Sequence, residues 1–262
     1  MQMSNSKHNH IFNKLCIGTA QFGMHYGIMN ETGVISTSEI KSILDYAKLN
    51  HIKTIDTARS YGESEKSLGL YGMQNFNVIT KLPSLEEGHV NIEQWVLENI
   101  EKSLANLNQP SIYAVLVHQC KDLLGSHGHQ ITLSLNKLKE KEIIKNIGVS
   151  IYSPDDIPKI LDVMIPDIIQ APVNIFDRRL SESGWMKKLS QLNIKIHARS
   201  IFLQGVALKN SSELPEYFHQ WKHQFDQWEN FLNSAAMTAM TACLHYPLSM
   251  PEIDKLIVGV DN

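Results

Sequence analysis

The apolar residues of this chain follow two alternating rhythms. Short, almost uniformly apolar runs recur: KLCIG (Lys14 to Gly18), IKTID (Ile52 to Asp56), FNVITK (Phe76 to Lys81) and IYAVLVH (Ile112 to His118). IKNIGVS (Ile144 to Ser150), PDIIQA (Pro166 to Ala171), IKIHARS (Ile194 to Ser200) and KLIVGV (Lys255 to Val260) continue the series. Most are rich in Ile and Val and lack the alternation that one wet face would impose. Such runs predict parallel strands covered on both sides.

Longer stretches between them carry a helical period. STSEIKSILDYAKLN opens on hydroxyl residues, has Glu39 early, and places Ile40, Ile43, Leu44 and Ala47 at helical spacing. This is the pattern of a capped amphipathic helix. NIEQWVLENIEKSLANLN repeats it with Ile92, Val96, Ile100 and Leu104. ITLSLNKLKEKE, SPDDIPKILDVM and SESGWMKKLSQLN follow the fourth, fifth and sixth runs, and the stretch from about Pro215 to Tyr246 holds enough apolar residues for two helices. Strands alternating with helices in this number predict an α/β fold, a (β/α)8 TIM barrel. No GxGxxG follows the first strand, so the usual dinucleotide fold has no direct support. With no linker in sight, residues 1–262 read as a single domain, residues 1–12 as a flexible N-terminal segment. The chain stops two residues past the eighth run, so the expected barrel lacks its eighth helix.

Composition narrows the function classes. A chain of 262 residues that is 43% hydrophobic can bury a large core. Its net charge of −3 comes with scattered Lys and Arg, which argues against nucleic acid as a partner. The polar start has no apolar core of a signal peptide, and no apolar run reaches the roughly 20 residues needed to cross a bilayer. A cytoplasmic protein without a membrane partner is expected. Cys16, Cys120 and Cys243 lie far apart and read as reduced thiols. The His8 to His10 and His127 to His129 clusters lack accompanying Cys or carboxylate spacing, so no metal site is expected. The loop from Gly23 to Gly33 reads either as a flap bringing His25 or Tyr26 to a substrate or as plain surface. Trp221 and Trp228 read as core rather than as a sugar platform.

The candidate chemistry lies at the strand ends, where such barrels carry their active sites. The second strand ends in Asp56 with Tyr61 following; the third ends in Lys81 and the fourth in His118. The fifth ends in Ser150, the sixth in Gln170, the seventh in Arg199 and Ser200. Singly, each is an ordinary cap, solvated end or structural residue. Together they gather an acid, a phenol, a cation and an imidazole on one rim. A free phenol titrates near about 10 and is a poor proton donor at neutrality, but a neighbouring ammonium favours its ionised form. A lysine in a barrel mouth needs a partner, and Asp56 on the adjacent strand is placed to be one. His118 is positioned to hydrogen-bond a carbonyl oxygen. The set reads as a tuned general acid aimed at a carbonyl, and the hydride that reduction also needs implies a nicotinamide cofactor.

These residues stand in motifs: IGTAQFG at Ile17, Asp56-Thr57-Ala58 with Tyr61-Gly62, Ser64-Glu65 and Leu68-Gly69, then ITK at Lys81, LVH at His118, IGVS at Ser150 and IIQ at Gln170. In this order they resemble the aldo/keto reductases, and the match runs from Ile17 to Asn262. The resemblance implies a catalytic tetrad of Asp56, Tyr61, Lys81 and His118 with Tyr61 as the acid. It implies NADPH as cofactor, with NADH as the alternative. Gly18 and Thr19 match a contact near the nicotinamide, and Ser150 and Gln170 match residues that hold its carboxamide. Ile151 stands where the family often has Asn. RSIFLQG matches the segment around the pyrophosphate, with Ser200, Phe202, Gln204 and Gly205 lining it. Arg199 takes the place of an aromatic ring, and its planar guanidinium can also stack. The expected partner is a small-molecule carbonyl compound: an aldehyde, a ketone or a keto-sugar. The competing expectation is a non-catalytic barrel acting as a cofactor-binding regulatory subunit, which the missing C-terminal segment for the 2′-phosphate would permit.

Overall fold

Period-2 alternation gives each strand two faces, and both are buried. In a computed structural model describing residues 11–86, 88 and 91–260, eight parallel strands close into a barrel in chain order. They are β1 (Leu15–Gly18), β2 (Thr54–Asp56), β3 (Asn77–Leu82), β4 (Ile112–Val117), β5 (Ile144–Ser150), β6 (Ile168–Pro172), β7 (Lys195–Arg199) and β8 (Ile253–Gly259). Closure pairs β8 with β1, setting Gly18 beside Gly259. Every predicted strand is present, with no end shifted by more than two residues and β5 matched at both ends. The expectations for the first ten residues, including His8 to His10, and for Asp261 and Asn262 fall outside the described residues; residues 11–14 are helical.

Between β1 and β2 lies α1 (Thr37–Leu49), whose start is fixed by a capping box between Ser36 and Glu39. Then come α2 (Ser64–Tyr71), α3 (Ile92–Leu107), α4 (Cys120–Leu124), α5 (Gly128–Glu140) and α6 (Ile157–Val163). The series ends with α7 (Arg179–Glu182), α8 (Trp185–Gln191), α9 (Lys222–Ser234) and α10 (Ala239–Leu248). The last two are the pair expected before β8. The helix α2 is an addition. Its sequence reads as a charged motif, yet Ser64, Glu65 and Leu68 are buried. Of the two tryptophans on this side, Trp228 is core, donating Nε1–H to the Ala207 carbonyl at 3.1 Å, while Trp221 stays 37% exposed.

Outward residues such as Ile17, Ile55, Val115, Val149, Ile169 and Ile196 join one large core between strands and helices. Inward residues Ile79, Ala114, Leu116 and Ile168 form a separate cluster inside the barrel. Two residues further along each inward column the apolar filling stops. Lys81 follows Ile79, His118 follows Leu116 and Gln170 follows Ile168. The pleat therefore carries polar side chains from different strands to the same end of the barrel. No described helix is long and apolar enough to cross a membrane.

Candidate active site

Lys81 is the centre of this polar end. It is 1% exposed, and its ammonium lies 2.5 Å from the Asp56 carboxylate and 2.8 Å from the Thr57 carbonyl. Its remaining side points to the Tyr61 hydroxyl at 3.5 Å, with the ring centroid 4.9 Å away. Burial works against its charge, but Asp56 and the Tyr61 phenol outweigh burial and raise the Lys81 pKa above the ordinary lysine value. The second oxygen of Asp56 accepts from Gln170 Nε2 across the barrel at 2.7 Å. Both oxygens of this buried carboxylate are thus occupied, and the lysine is fixed in place.

The loop that carries Tyr61 is held from three sides. Gly62 sits at φ 56°, and a Cβ there would come within 2.2 Å of the Gly23 carbonyl oxygen. A Cβ at Gly23 would in turn meet the Tyr61 carbonyl at 2.1 Å. Only glycine at both positions lets the first loop and the tyrosine loop touch backbone to backbone. Beneath them runs a chain of hydroxyls: Ser64 bonds Thr19 Oγ1 at 2.8 Å and Thr57 Oγ1 at 3.0 Å, and Thr19 Oγ1 donates to the Asp56 carbonyl at 2.9 Å. On the outer side Glu65, 1% exposed, accepts from Arg59, Thr80, Ser103 and Asn106.

His118 follows β4 and meets the Tyr61 ring edge-on, with centroids 5.8 Å apart. Its Nδ1 lies 3.1 Å from Ser60 Oγ. Burial, then the positive charges of Lys81 and Arg199, push its pKa down to about 4. At neutral pH the ring is therefore uncharged, and one nitrogen keeps a proton to donate.

The expected cofactor positions divide in two. Thr19 Oγ1 donates to the Asp56 carbonyl and Gln170 Nε2 to the Asp56 carboxylate, as described, and the two residues are 0% and 1% exposed. Gly18 lies against β8, where a Cβ would meet Ile257 Cγ2 at 3.0 Å, and Ser150 is buried opposite Gln170 in the register of β5 and β6. The segment after β7 is more open. Ser200 and Gln204 take φ 58° and 55°, and Gly205 takes 88°, so the chain folds back tightly there. Asn174, which sequence reasoning missed, donates its amide to the Ser200 carbonyl at 3.0 Å and holds this turn. Its signal was available: an Asn followed by Phe176 and Asp177, whose N–H groups its side chain accepts. Phe202 packs between the two main apolar clusters. Among the described residues the N–H groups of Ile201 and Phe202 donate to no protein acceptor. Free peptide donors on a tightly folded turn suit an anionic group, so this segment fits the diphosphate of a dinucleotide.

Arg199 itself is stacked, but on Tyr152, with Cζ 4.3 Å from the ring centroid. Tyr152 is the second residue that sequence reasoning missed. The first loop closes over this side: Met29 N–H donates to the Gln204 carbonyl at 3.3 Å, and Tyr26 is 38% exposed above it.

Comparison with known proteins agrees with this geometry. The model of the Aldo/keto reductase family matches residues 14–262. An aldo-keto reductase from Bacillus halodurans, solved in its holo form, superposes with a TM-score of 0.72 at 19% identity, covering 95% of this chain and 82% of that one. A Pseudomonas aeruginosa structure described as an aldo-keto reductase gives 0.69 at 21% identity, covering 95% and 85%. Among curated proteins no relative matches. Over nearly its whole length, then, this chain belongs to the aldo/keto reductase family of NAD(P)H-dependent oxidoreductases, which act on small-molecule carbonyl compounds.

Proposed function

We propose that the chain reduces the carbonyl of an aldehyde, a ketone or a keto-sugar, with Tyr61 delivering the proton to the carbonyl oxygen. The observation that carries this reading is the single uncommitted side of Lys81, which faces the Tyr61 hydroxyl at 3.5 Å. As the phenol gives up its proton, the ammonium fixed by Asp56 and Thr57 stands beside the phenolate left behind and stabilises it. His118 stays neutral. With the Ser60 hydroxyl donating to Nδ1, its Nε2–H is free to hold the carbonyl oxygen in line with the phenol. NADPH, or NADH in its place, supplies the hydride when bound. Ser200, Phe202, Gln204 and Gly205 would hold its diphosphate, Gly18 and Ser150 would flank its nicotinamide, and Arg199 would lie between those two groups. Thr19 and Gln170 act one step back, holding the backbone and the carboxylate of Asp56.

Consumption of NADPH and of NADH with a panel of aldehydes, ketones and keto-sugars tests this reading. Turnover of at least one class that follows the amount of enzyme is expected. No turnover at saturating cofactor with any of the three classes overturns it.

A further inference from the structure

The chain has four arginines, and three of them meet a carboxylate: Arg59 with Glu65, Arg178 with Glu182 and Arg179 with Asp177. The fourth, Arg199, has no carboxylate within ion-pair distance among the described residues. It stands at the end of β7, inside the mouth. The protein holds it without neutralising it. Nη2 donates to the Ile151 carbonyl at 3.0 Å, Nη1 to Ser200 Oγ at 3.2 Å, and the guanidinium carbon lies over the Tyr152 ring. Two of its five N–H donors are used, and Nε is buried without a partner. A planar cation held in one orientation with donors to spare is a receptor for an oxyanion.

Its place in the mouth says which oxyanion. Arg199 follows His197 in the inward column of β7, and His197 pairs with Gln170, so Arg199 lies one pleat beyond Gln170 at the same end of the barrel as Lys81 and His118. Of the described residues that end the inward columns of the strands, Lys81 and Arg199 are cations and Asp56 is a carboxylate, and Asp56 already belongs to Lys81. The uncompensated charge of Arg199 therefore lies at the end of the barrel that also carries Tyr61 and His118.

We infer that the substrate is an anionic carbonyl compound, carrying a carboxylate or similar oxyanion near its carbonyl, and that Arg199 recognises this group. The inference rests on the carbonyl reduction proposed above. The same guanidinium chemistry would also serve a cofactor phosphate, so the test separates the two sources.

The reporter pair is p-carboxybenzaldehyde and p-formylbenzamide, alike in shape but different in charge; the neutral amide is the more electron-withdrawing, so intrinsic reactivity works against the expected preference. The wild-type chain should favour the carboxylate in kcat/KM by about tenfold or more, the usual worth of one hydrogen bond to a charged group. In Arg199→Met that ratio should fall to near one, with the loss concentrated in KM for the carboxylate. Arg199→Lys should restore part of the preference. Calorimetric binding of p-(hydroxymethyl)benzoate, the reduced product, needs no turnover and should weaken about tenfold in Arg199→Met. A fluorescence titration with NADPH completes the set and should move much less.

A wild-type ratio near one, or a preference that survives Arg199→Met, overturns the inference. So does NADPH binding that weakens as much as product binding, because Arg199 would then serve the cofactor phosphate. If neither aldehyde is reduced but the benzoate binds in an Arg199-dependent way, the carbonyl-reduction reading fails and the anion site stands.

Discussion

Consecutive residues of β3 serve two buried carboxylates on opposite faces of the sheet. Thr80 donates outward to Glu65 at 2.7 Å, and Lys81 donates inward to Asp56 at 2.5 Å. The ingredients are similar: a carboxylate, a basic side chain, hydroxyl or amide donors and almost no solvent. The outcomes differ. Glu65 collects donors from β3, α3 and the tyrosine loop, and Arg59 completes its charge balance at 2.8 Å. Everything there points at the carboxylate, so the cluster is a strut. Around Asp56 the lysine is the hub. Its ammonium spends two directions on Asp56 and Thr57 and leaves the third for Tyr61. A buried ion pair does chemistry only when one of its valences faces an opening. A saturated one fixes geometry.

Tyr61→Phe breaks the comparison most sharply on the inner side. It keeps the ring on His118 and removes the proposed proton donor, so carbonyl reduction should fall by about 10²–10⁴-fold. Thermal stability and cofactor affinity should stay near wild type. Turnover close to the parent would remove Tyr61 from the chemistry.

Glu65→Ala is the outer counterpart and should act on stability first. It strands Arg59 together with the hydroxyls of Thr80 and Ser103, and breaking a buried pair of this kind costs about 3–5 kcal/mol. Denaturant unfolding reads this directly. Glu65→Gln, which retains an acceptor, should cost less. If Glu65→Ala unfolds like the parent, the cluster is no strut.

Lys81→Met mixes the two. The rate should drop, because the cation that stands beside the phenolate left after proton transfer is gone. Asp56 keeps Gln170 as a donor, so the loss of stability should be smaller than for Glu65→Ala. A variant with an unchanged rate would mean that the ammonium does not act on Tyr61.

The smallest effect concerns a buried ionisable group with no counter-charge. His197 on β7 is 2% exposed, and its Nδ1 has no partner. Burial, then the charges of Lys255, Lys195 and Lys81, hold its pKa down at about 3. In the unfolded chain it takes up a proton near its ordinary value of about 6.5. Between these values the unfolded state binds more protons. The stability contributed by the neutral ring is therefore complete above about pH 6.5 and is lost as pH falls towards about 3. Urea midpoints measured from neutral pH downward should decline, and His197→Leu should decline less steeply.

Strands were readable because a doubly buried strand must be apolar, and helices because their period survives solvent on one face. What periodicity does not report is which residues meet across the barrel. Gln170 reads as a residue for the cofactor's carboxamide, and nothing in the local pattern shows that its Nε2 also donates to Asp56, a partner 114 positions away. Glu65 is visible in the motif and α2 is not, because a helix whose buried face includes Ser64 and Glu65 shows no apolar stripe. The stacking of Arg199 on Tyr152 joins two loops whose meeting depends on strand register, which no local pattern encodes.

The contact between Gly23 and Gly62 sets a boundary for anyone who wishes to retarget this enzyme. Any side chain at either position wedges the two loops apart and moves the tyrosine with them. Beyond that contact the first loop becomes permissive: His25, Tyr26 and Ile28 are exposed, and Asn30 ties the tip to itself through Tyr26, Thr32 and Gly33. A library confined to those exposed positions would reshape the rim of the mouth while leaving Tyr61 where it is. One that strays back to Gly23 would displace Tyr61 itself.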